Sequence, residues 1–420
     1  MTDLIKPPPL SNDCFALPAG VHWTPVADAL AMLRDRLMPI TSVETIGVGQ
    51  TMGRVLAADV LAPRANPPLA NTAVDGYGFA GGRAAGVHTM HLHKERAAAG
   101  PMLDGEVPDG HAVRILTGAA LPAGVDTVVL QEDVTVQAGQ IAFNGPIKAG
   151  ANTRRAGEDV EADDVILKVG RRITAADMAL MAATGVREVS VRVPLKVAVI
   201  STGDELIEAG ETAKQDQIYD ANRPMLLSMI AAMGHAPVDM GRCVDNRAAL
   251  RALLNDAAKN ADVILTSGGA SAGDEDHVSA ILTDAGAMQL WRIAIKPGRP
   301  LALGMWNETP VFGLPGNPVA AMVCTLIFAR PAMAQLAGAG WSVPVGFDVP
   351  AGFTKSKKAG RREYLRARMR GGLVEAFGSE GSGRISGLSW ADGLVELSEG
   401  AQQINEGDLV RYIPFGSFDL

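Results

Sequence analysis

The sequence predicts a multidomain α/β plus β protein: a doubly wound parallel sheet, a helical linker, a β excursion and a small C-terminal β barrel. Three observations predict it. From Leu195 onward, short apolar runs alternate with helical segments. The runs are LKVAVIS (195–201), VDMGRCV (238–244), DVILTS (262–267) and PVFGL (310–314), with helices opening at Asn222, Arg247, His277 and Pro318. That rhythm of strand, loop and helix belongs to parallel sheets covered on both faces. Earlier in the chain, AVRIL (112–116) and DTVVLQEDVTV (126–136) alternate with Gly and Pro turns, the pattern of a compact β domain. Beyond Trp341-Ser342-Val343-Pro344, Gly turns separate short strands such as LVRYI (409–413). The expected layout is a helical linker at 24–62 and 158–190, a β excursion at 63–157, an α/β domain at 191–338 and a C-terminal barrel at 339–420.

Each element has a local reason. Residues 1 to about 23 are Pro-rich and read as an extended arm. Thr24-Pro25 reads as an N-cap and first helical position, followed by Val26, Leu30, Leu33 and Leu37 at helical spacing. A second short helix is expected from Gln50 to Asp59, and a third over Thr174–Thr184 with Gly185 as its C-cap. The β excursion therefore leaves a helical segment and returns to one.

Composition narrows the function. A net charge of -8 argues against nucleic acid or an anionic membrane as the main partner. Cys14, Cys243 and Cys324 are far apart, with no CxxC pair and so no zinc or iron–sulfur signature. The start, MTDLIKPPPL, lacks the basic and apolar regions of a signal peptide. No run approaches about 18 uninterrupted apolar residues, and a cytoplasmic protein is expected.

The chemistry gathers where strands end. Val263–Leu265 runs into Ser267-Gly268-Gly269, Ser271 and Gly273, then into Asp274, Glu275 and Asp276. Glycine lets backbone N–H groups approach an anion, and open α/β sheets bind ligands at this edge. Three carboxylates beside an anion site imply a cation or a proton transfer. Ser201-Thr202-Gly203-Asp204-Glu205 ends the first strand in the same way, placing Asp204 or Glu205 at the crevice or in a helix first turn. Lys296-Pro297-Gly298-Arg299-Pro300, with Arg292 upstream, is either an oxyanion clamp or a solvated turn. Pro315-Gly316-Asn317-Pro318 opens an apolar helix with its free N–H groups toward the sheet edge.

Elsewhere the local readings are bland. Asp75-Gly76 within NTAVDGYG (71–78) signals a hairpin, and RRAGEDV (154–160) a surface salt-bridge cluster. His91 and His93 share one side of a strand without the other ligands a metal needs. Cys324 lies in an apolar helix and reads as core, and His277 as a helix-start residue. The basic run 355–370 is a solvated strand pair or an anion dock.

Together these stretches resemble the molybdopterin molybdenumtransferase family of the MoeA type. The resemblance rests on NTAVDGYG, VRILTGAALPAGVDTVVLQE (113–132), NTRRAGEDV (152–160), STGDEL (201–206), QIYDANR (217–223), TSGGASAGDEDH (266–277), IAIKPGRP (293–300) and GLPGNPV (313–319). It runs from about residue 24 to the C-terminus. It implies insertion of molybdenum from molybdate into adenylylated molybdopterin, with Mg2+-dependent release of AMP. It also implies a homodimer whose active cleft combines the sheet edge of one chain with the β excursion of the other. Glu205, Asp245 and Asp276 would carry Mg2+, which favours a few carboxylates plus substrate phosphates. Asp75, Thr117 and Asp159 would be catalytic residues from the partner subunit, and Ser267, Gly268, Gly269 and Ser271 would hold the pterin or its phosphate. Arg292, Lys296, Arg299, Pro315, Asn317 and Pro318 would hold oxyanions, with Arg362 and Ser382 on the molybdate side. Expected partners are a molybdopterin adenylyltransferase and downstream cofactor-handling proteins. Val74 stands where Met is usual, and Arg292 and Arg299 where Lys is common.

Two other functions fit parts of the pattern. A molybdopterin adenylyltransferase shares the SGGxSxG sheet but lacks the β excursion in its minimal form, and it consumes ATP. A non-catalytic molybdopterin-binding scaffold would keep the fold without needing the carboxylate set.

Overall fold

A computed structural model describes residues 23–268, 277–290, 292–298 and 301–420. The chain forms two compact units, residues 43–192 and the remainder, so the chain leaves one unit and returns to it. The N-terminal arm to residue 22 lies outside the described residues.

In the larger unit a six-stranded sheet has the order Ala236–Cys243, Lys196–Thr202, Val263–Ser267, Thr309–Leu314, Ala302–Trp306, Met288–Leu290. The first four strands run parallel, as the alternation predicts. The last two are antiparallel and were not anticipated. The hairpin joining Ala302–Trp306 to Thr309–Leu314 turns at Asn307 and Glu308, both at positive φ (46° and 66°), the backbone of a tight two-residue connection. Without the usual Asn-Gly or Asp-Gly pair, nothing in WNET marked it.

Strand periodicity divides two cores across this sheet. Val197, Val199, Val263, Leu265, Phe312 and Leu314 face one side, packed with Leu226, Met229, Ile230 and the helix beginning at Pro318. Ala198, Ile200, Ile264 and Val311 face the other, against Leu250, Leu254, Val278, Ile281 and Leu282. Such near-continuous apolar strands are what burial on both faces demands. Helices Asn222–Ala232, Arg247–Asn260 and His277–Asp284 lie where the sequence puts them. The N-terminal helix is Val26–Arg36, one residue later than expected, because Thr24 makes a β-bridge to Ile293 instead of capping. Its Val26 and Ala29 are buried in the core of this unit. Pro318–Leu336 is long and apolar enough to cross a membrane by composition, yet 94% of its apolar window is buried inside this unit. That helix contains a π-turn, Thr325–Ala329, just before Pro331.

The C-terminal strands pair in the order Arg362–Arg370, Gly393–Leu397, Leu409–Pro414, Phe347–Pro350. Leu373–Ala376 pairs with Arg362–Arg370, and an Ala351–Val374 bridge joins it to the end of Phe347–Pro350, closing the ring expected of a small barrel. The strand Ile295–Lys296 also joins this sheet, in register with Arg362 and Glu363.

In residues 43–192, six strands form a mixed sheet around Tyr77, Phe79, Met90, Ile141 and Phe143. Chain entry and return are joined by three two-stranded ribbons: Val43–Gly47 with Glu188–Arg192, Val60–Leu61 with Val165–Leu167, and Asn71–Thr72 with Thr153–Arg154. The helix expected at Gln50–Asp59 is absent. A 3-10 turn, Val48–Gln50, leads to Gly53 at φ 74°, and Val55 and Leu56 are then drawn into bridges with Arg172 and Val191. Tertiary pairing overrides the local pattern there. The helix expected over Thr174–Thr184 is present as Ala175–Ala183, where Thr174 and Asp177 form a reciprocal capping box and Gly185 follows at φ 84°. The Asp75-Gly76 hairpin is absent as well. Asn71–Thr72 pairs with Thr153–Arg154, and Gly76–Phe79 lies between His111–Ile115 and Thr127–Leu130. A Cβ on Gly76 would run into the Val129 carbonyl, so the residue is glycine for close packing and not for a turn.

Candidate active site

The sheet's carboxyl edge collects the first group of predicted residues. Strand Val263–Ser267 ends at Gly268, whose φ of 96° and N–H donation to the Leu314 carbonyl (3.1 Å) bend the chain along the neighbouring strand end. A side chain there would meet the Thr202 carbonyl at 2.6 Å. Pro315 and Gly316 continue from that neighbour, with Gly316 close to Gly268. The buried Asn222 carboxamide ties these loops together, donating to Ser267 Oγ (2.7 Å) and to the Gly316 carbonyl (2.6 Å). Its Oδ1 is buried without a partner, as are Ser201 Oγ and Thr266 Oγ1 on the strands behind it. Asn222 was read from sequence only as a helix opener, and its polar type at a buried helix start was the signal. Gly269, Ser271, Asp276 and Arg299 lie outside the described residues.

Of the acidic group, Asp204, Glu205 and Asp245 fall within the described residues. Asp204 and Asp245 hold each other's loops: the Asp204 N–H donates to Asp245 Oδ2 (3.2 Å), and the Asp245 N–H to Asp204 Oδ1 (3.1 Å). Arg242 donates to the carbonyls of Gly203, Asp204 and Leu206, fixing the same turn. The Glu205 carboxylate folds against Gly203, where a Cβ would collide with it. The Cys243 thiol is pushed up, first by burial and then by the fields of Asp245 and Asp204. Among the described residues no cluster of three or more His, Cys, Asp or Glu side chains could hold a metal ion. Carboxylate oxygens are the donors a hard cation takes, and in Asp204 and Asp245 one oxygen each is committed to the other's backbone N–H. Asp204 thus stands beside Asp245 in the position the sequence reading left open between it and Glu205.

The second cation group meets the C-terminal strands. Lys296 Nζ lies 3.3 Å from Glu363 Oε1 and 2.6 Å from Glu380 Oε2. Pro297 is followed by Gly298 at φ 118°, packed over the Cys324 sulfur. Cys324 is fully buried, and its thiol is pushed up to about 12, so its place in the core agrees with the sequence reading. Asn317 occupies the N-cap position, but its side chain makes no cap hydrogen bond. Instead the Val319 N–H donates to the Ser382 carbonyl (3.3 Å), bringing the start of this helix and Ser382 together. Arg362 does not join them. Its guanidinium reaches Glu396 (3.1 Å) and Glu399 (3.0 Å), and it lines a separate cleft of about 580 Å³ with Arg411 and Gln402. Arg366, unremarked in sequence, takes that place: nearly buried, it donates to the carbonyls of Ser379, Gly381 and Arg384. Within the basic run 355–370, Lys355, Arg362 and Arg368 pair with carboxylates of the chain. Arg292 lies at φ 66°, and its carbonyl accepts the Thr24 N–H (3.1 Å).

In the smaller unit, Thr117 donates both its N–H and its hydroxyl to Asp75 Oδ1, each at 2.6 Å. Those bonds hold the exposed Asp75 carboxylate below its ordinary range. Gly118 at φ 80° makes the turn that lets Thr117 face Asp75. Asp159 Oδ2 accepts from the Asn66 carboxamide (3.0 Å). The salt-bridge cluster anticipated at 154–159 does not form among the described residues: Glu158 accepts the Arg155 backbone N–H, leaving both guanidinium groups exposed. His91 stacks on His111 at 5.4 Å, away from His93 as a partner.

A glycine-bent strand end, a tied Ser267 loop and a paired carboxylate turn sit at the carboxyl edge of an open α/β sheet, where this class of fold places its ligands. The comparisons agree. Residues 24–185 match the MoeA N-terminal region (domain I and II), 198–335 a probable molybdopterin binding domain, and 348–415 the MoeA C-terminal region (domain IV). The chain is 34% identical to a molybdopterin molybdenumtransferase of Haemophilus influenzae, covering 92% of this chain and 97% of the relative. It is 30% identical to molybdopterin molybdenumtransferase 2 of Mycobacterium tuberculosis, covering 92% and 96%. A solved molybdopterin biosynthesis MoeA protein from Pyrococcus horikoshii superposes with a TM-score of 0.82 at 27% identity, covering 93% of this chain and all of that one. The chain belongs to the MoeA-type molybdopterin molybdenumtransferase family, enzymes of molybdenum cofactor biosynthesis.

Proposed function

We propose that the chain inserts molybdenum from molybdate into adenylylated molybdopterin with release of AMP, giving the molybdenum cofactor. The observation that carries this is the sheet edge, where Asn222 ties Ser267 to Gly316, together with the Asp204–Asp245 turn. Backbone N–H groups and hydroxyls at such an edge suit the substrate's phosphates. Ser267, Gly268, Gly269 and Ser271 bind the pterin end. Lys296, Arg292, Arg299 and the loop Pro315-Gly316-Asn317-Pro318 orient the oxyanions, with Ser382 beside them. Gly269, Ser271, Asp276 and Arg299 enter this reading from the sequence alone. Asp75, Thr117 and Asp159 act as catalytic residues. The hydrogen bonds from Thr117 keep Asp75 charged, and so able to accept a hydrogen bond or face a cation.

Mg2+ would be held by Glu205, Asp245 and Asp276, with Asp204 at the same turn. When bound it neutralises the charge of the pyrophosphate. The working form is a cytoplasmic homodimer that receives its substrate from a molybdopterin adenylyltransferase and passes the product to cofactor-handling proteins.

The test is direct. Purified protein with adenylylated molybdopterin, Mg2+ and molybdate releases AMP, while ATP is not consumed. Asp245→Asn and Glu205→Gln lower AMP release by about 10²-fold or more. AMP release that needs ATP, or none at all, overturns the reading.

A further inference from the structure

Four charged side chains meet where the strand Ile295–Lys296 joins the C-terminal sheet. Glu380 bridges two lysines: its Oε2 reaches Lys296 Nζ (2.6 Å), and its Oε1 contacts Lys355 Nζ. Glu363 reaches the same two lysines, at 3.3 Å and 3.2 Å. The two carboxylates differ in access. The Glu363 side chain is 8% exposed, whereas that of Glu380 is 47% exposed. Glu363 is therefore the fixed counter-charge that aligns the lysines, and Glu380 closes the pair from the solvent side.

The backbone carrying Glu380 is anchored independently, because Arg366 grips the carbonyls of Ser379, Gly381 and Arg384. The Glu380 side chain can leave the lysines without unfolding its loop. Beside it is a void of about 20 Å³ lined by Lys296, Arg366, Phe377 and Glu380, room for about one water. With Glu380 turned away, Lys296, Lys355 and Glu363 leave a net positive charge open to solvent. Two oxygens of one group, each on a different ammonium, is the contact a tetrahedral oxyanion makes.

We propose that Lys296 and Lys355 form an oxyanion-binding pair, and that Glu380 occupies it as an internal competitor which molybdate displaces. This rests on the reading that the chain takes molybdate. Lys355 is then a binding residue for the reaction, and Glu380 a specificity-determining one. A tethered carboxylate carries one charge, so a dianion displaces it more readily than a monoanion does.

Sodium molybdate titrated calorimetrically into the full chain tests this without the pterin. Glu380→Gln is expected to bind molybdate roughly three- to tenfold more tightly than the parent chain, since two partly exposed ion pairs no longer compete. Glu380→Ala should do the same, and Lys355→Met should weaken binding by a similar factor. Thermal melting of each variant shows that it is folded. Unchanged affinity in both Glu380 variants, or in Lys355→Met, overturns the proposal, as does the lack of molybdate binding by any of the chains. AMP release by the same preparations separates the two readings. Molybdate-dependent turnover with unaltered Glu380 affinities leaves the function standing and removes the competitor. Tighter binding in Glu380→Gln without turnover in the parent chain does the reverse.

Discussion

Asn222 carries more of the site than any residue singled out for chemistry. Its carboxamide donates to Ser267 Oγ and to the Gly316 carbonyl from a buried position, so one side chain sets the spacing of two ligand loops. Asn222→Ala leaves both acceptors unpaired, and thermal unfolding should show a loss of about 1–3 kcal/mol. The same variant should raise KM more than it lowers stability-corrected kcat, because the loops lose their register. Gly268 was legible from sequence, since a strand ending in Ser-Gly-Gly advertises a bent edge. Asn222 was not, because it lies 45 residues from Ser267 and a helix-opening Asn is an ordinary local choice. Arg362 shows the same limit in reverse. Its neighbour Lys296 turns toward Glu380, but alternation along the strand sends Arg362 to Glu396 and Glu399.

At the scale of elements, the buried strands and the helices at 222, 247 and 277 were legible because burial on both faces writes continuous apolar runs. The linker was not. Its segments are short ribbons whose partners lie far away in sequence, as Val60–Leu61 with Val165–Leu167, and no local period records such a pairing. The helix Ala175–Ala183 supplies a sharper test. Asp177 accepts the Thr174 N–H and meets Arg171 at 2.8 Å. Burial alone would raise its carboxyl, yet Arg171 and Thr174 together hold it below its ordinary value of 3.8. A depressed folded-state value adds stability above the unfolded value, and that stability is lost as pH falls through the folded one. Asp177→Ala should therefore cost about 1–2 kcal/mol at neutral pH. The gap between the variant and the parent chain should narrow below about pH 4 in denaturant titrations, since there the parent carboxyl protonates.

On the scale of the whole molecule, the larger unit is closed by residues distant in sequence. Phe418 is fully buried in the core that contains Leu326, Ile327 and Met333. Arg330, itself nearly buried, pairs with Asp419 at 3.0 Å and with Ser342 Oγ at 2.9 Å. Phe418→Ala should cost about 3–5 kcal/mol, read as a lowered midpoint for the larger unit in chemical denaturation. A second transition, from residues 43–192, should stay in place, since that unit has its own core around Phe79 and Ile141.

The strand Ile295–Lys296 has a practical consequence for anyone dividing this chain. It is contributed from within the α/β half yet completes one edge of the C-terminal sheet, in register with Arg362 and Glu363. A cut at the linker Trp341–Pro344 would therefore run through a sheet and not between two folding units. The released C-terminal piece would carry an open edge and a buried glutamate, Glu363, stripped of one of its lysines. Unpaired edges recruit other strands, so such a fragment would self-associate, and exchanging this domain between relatives would require moving residues 295–296 with it.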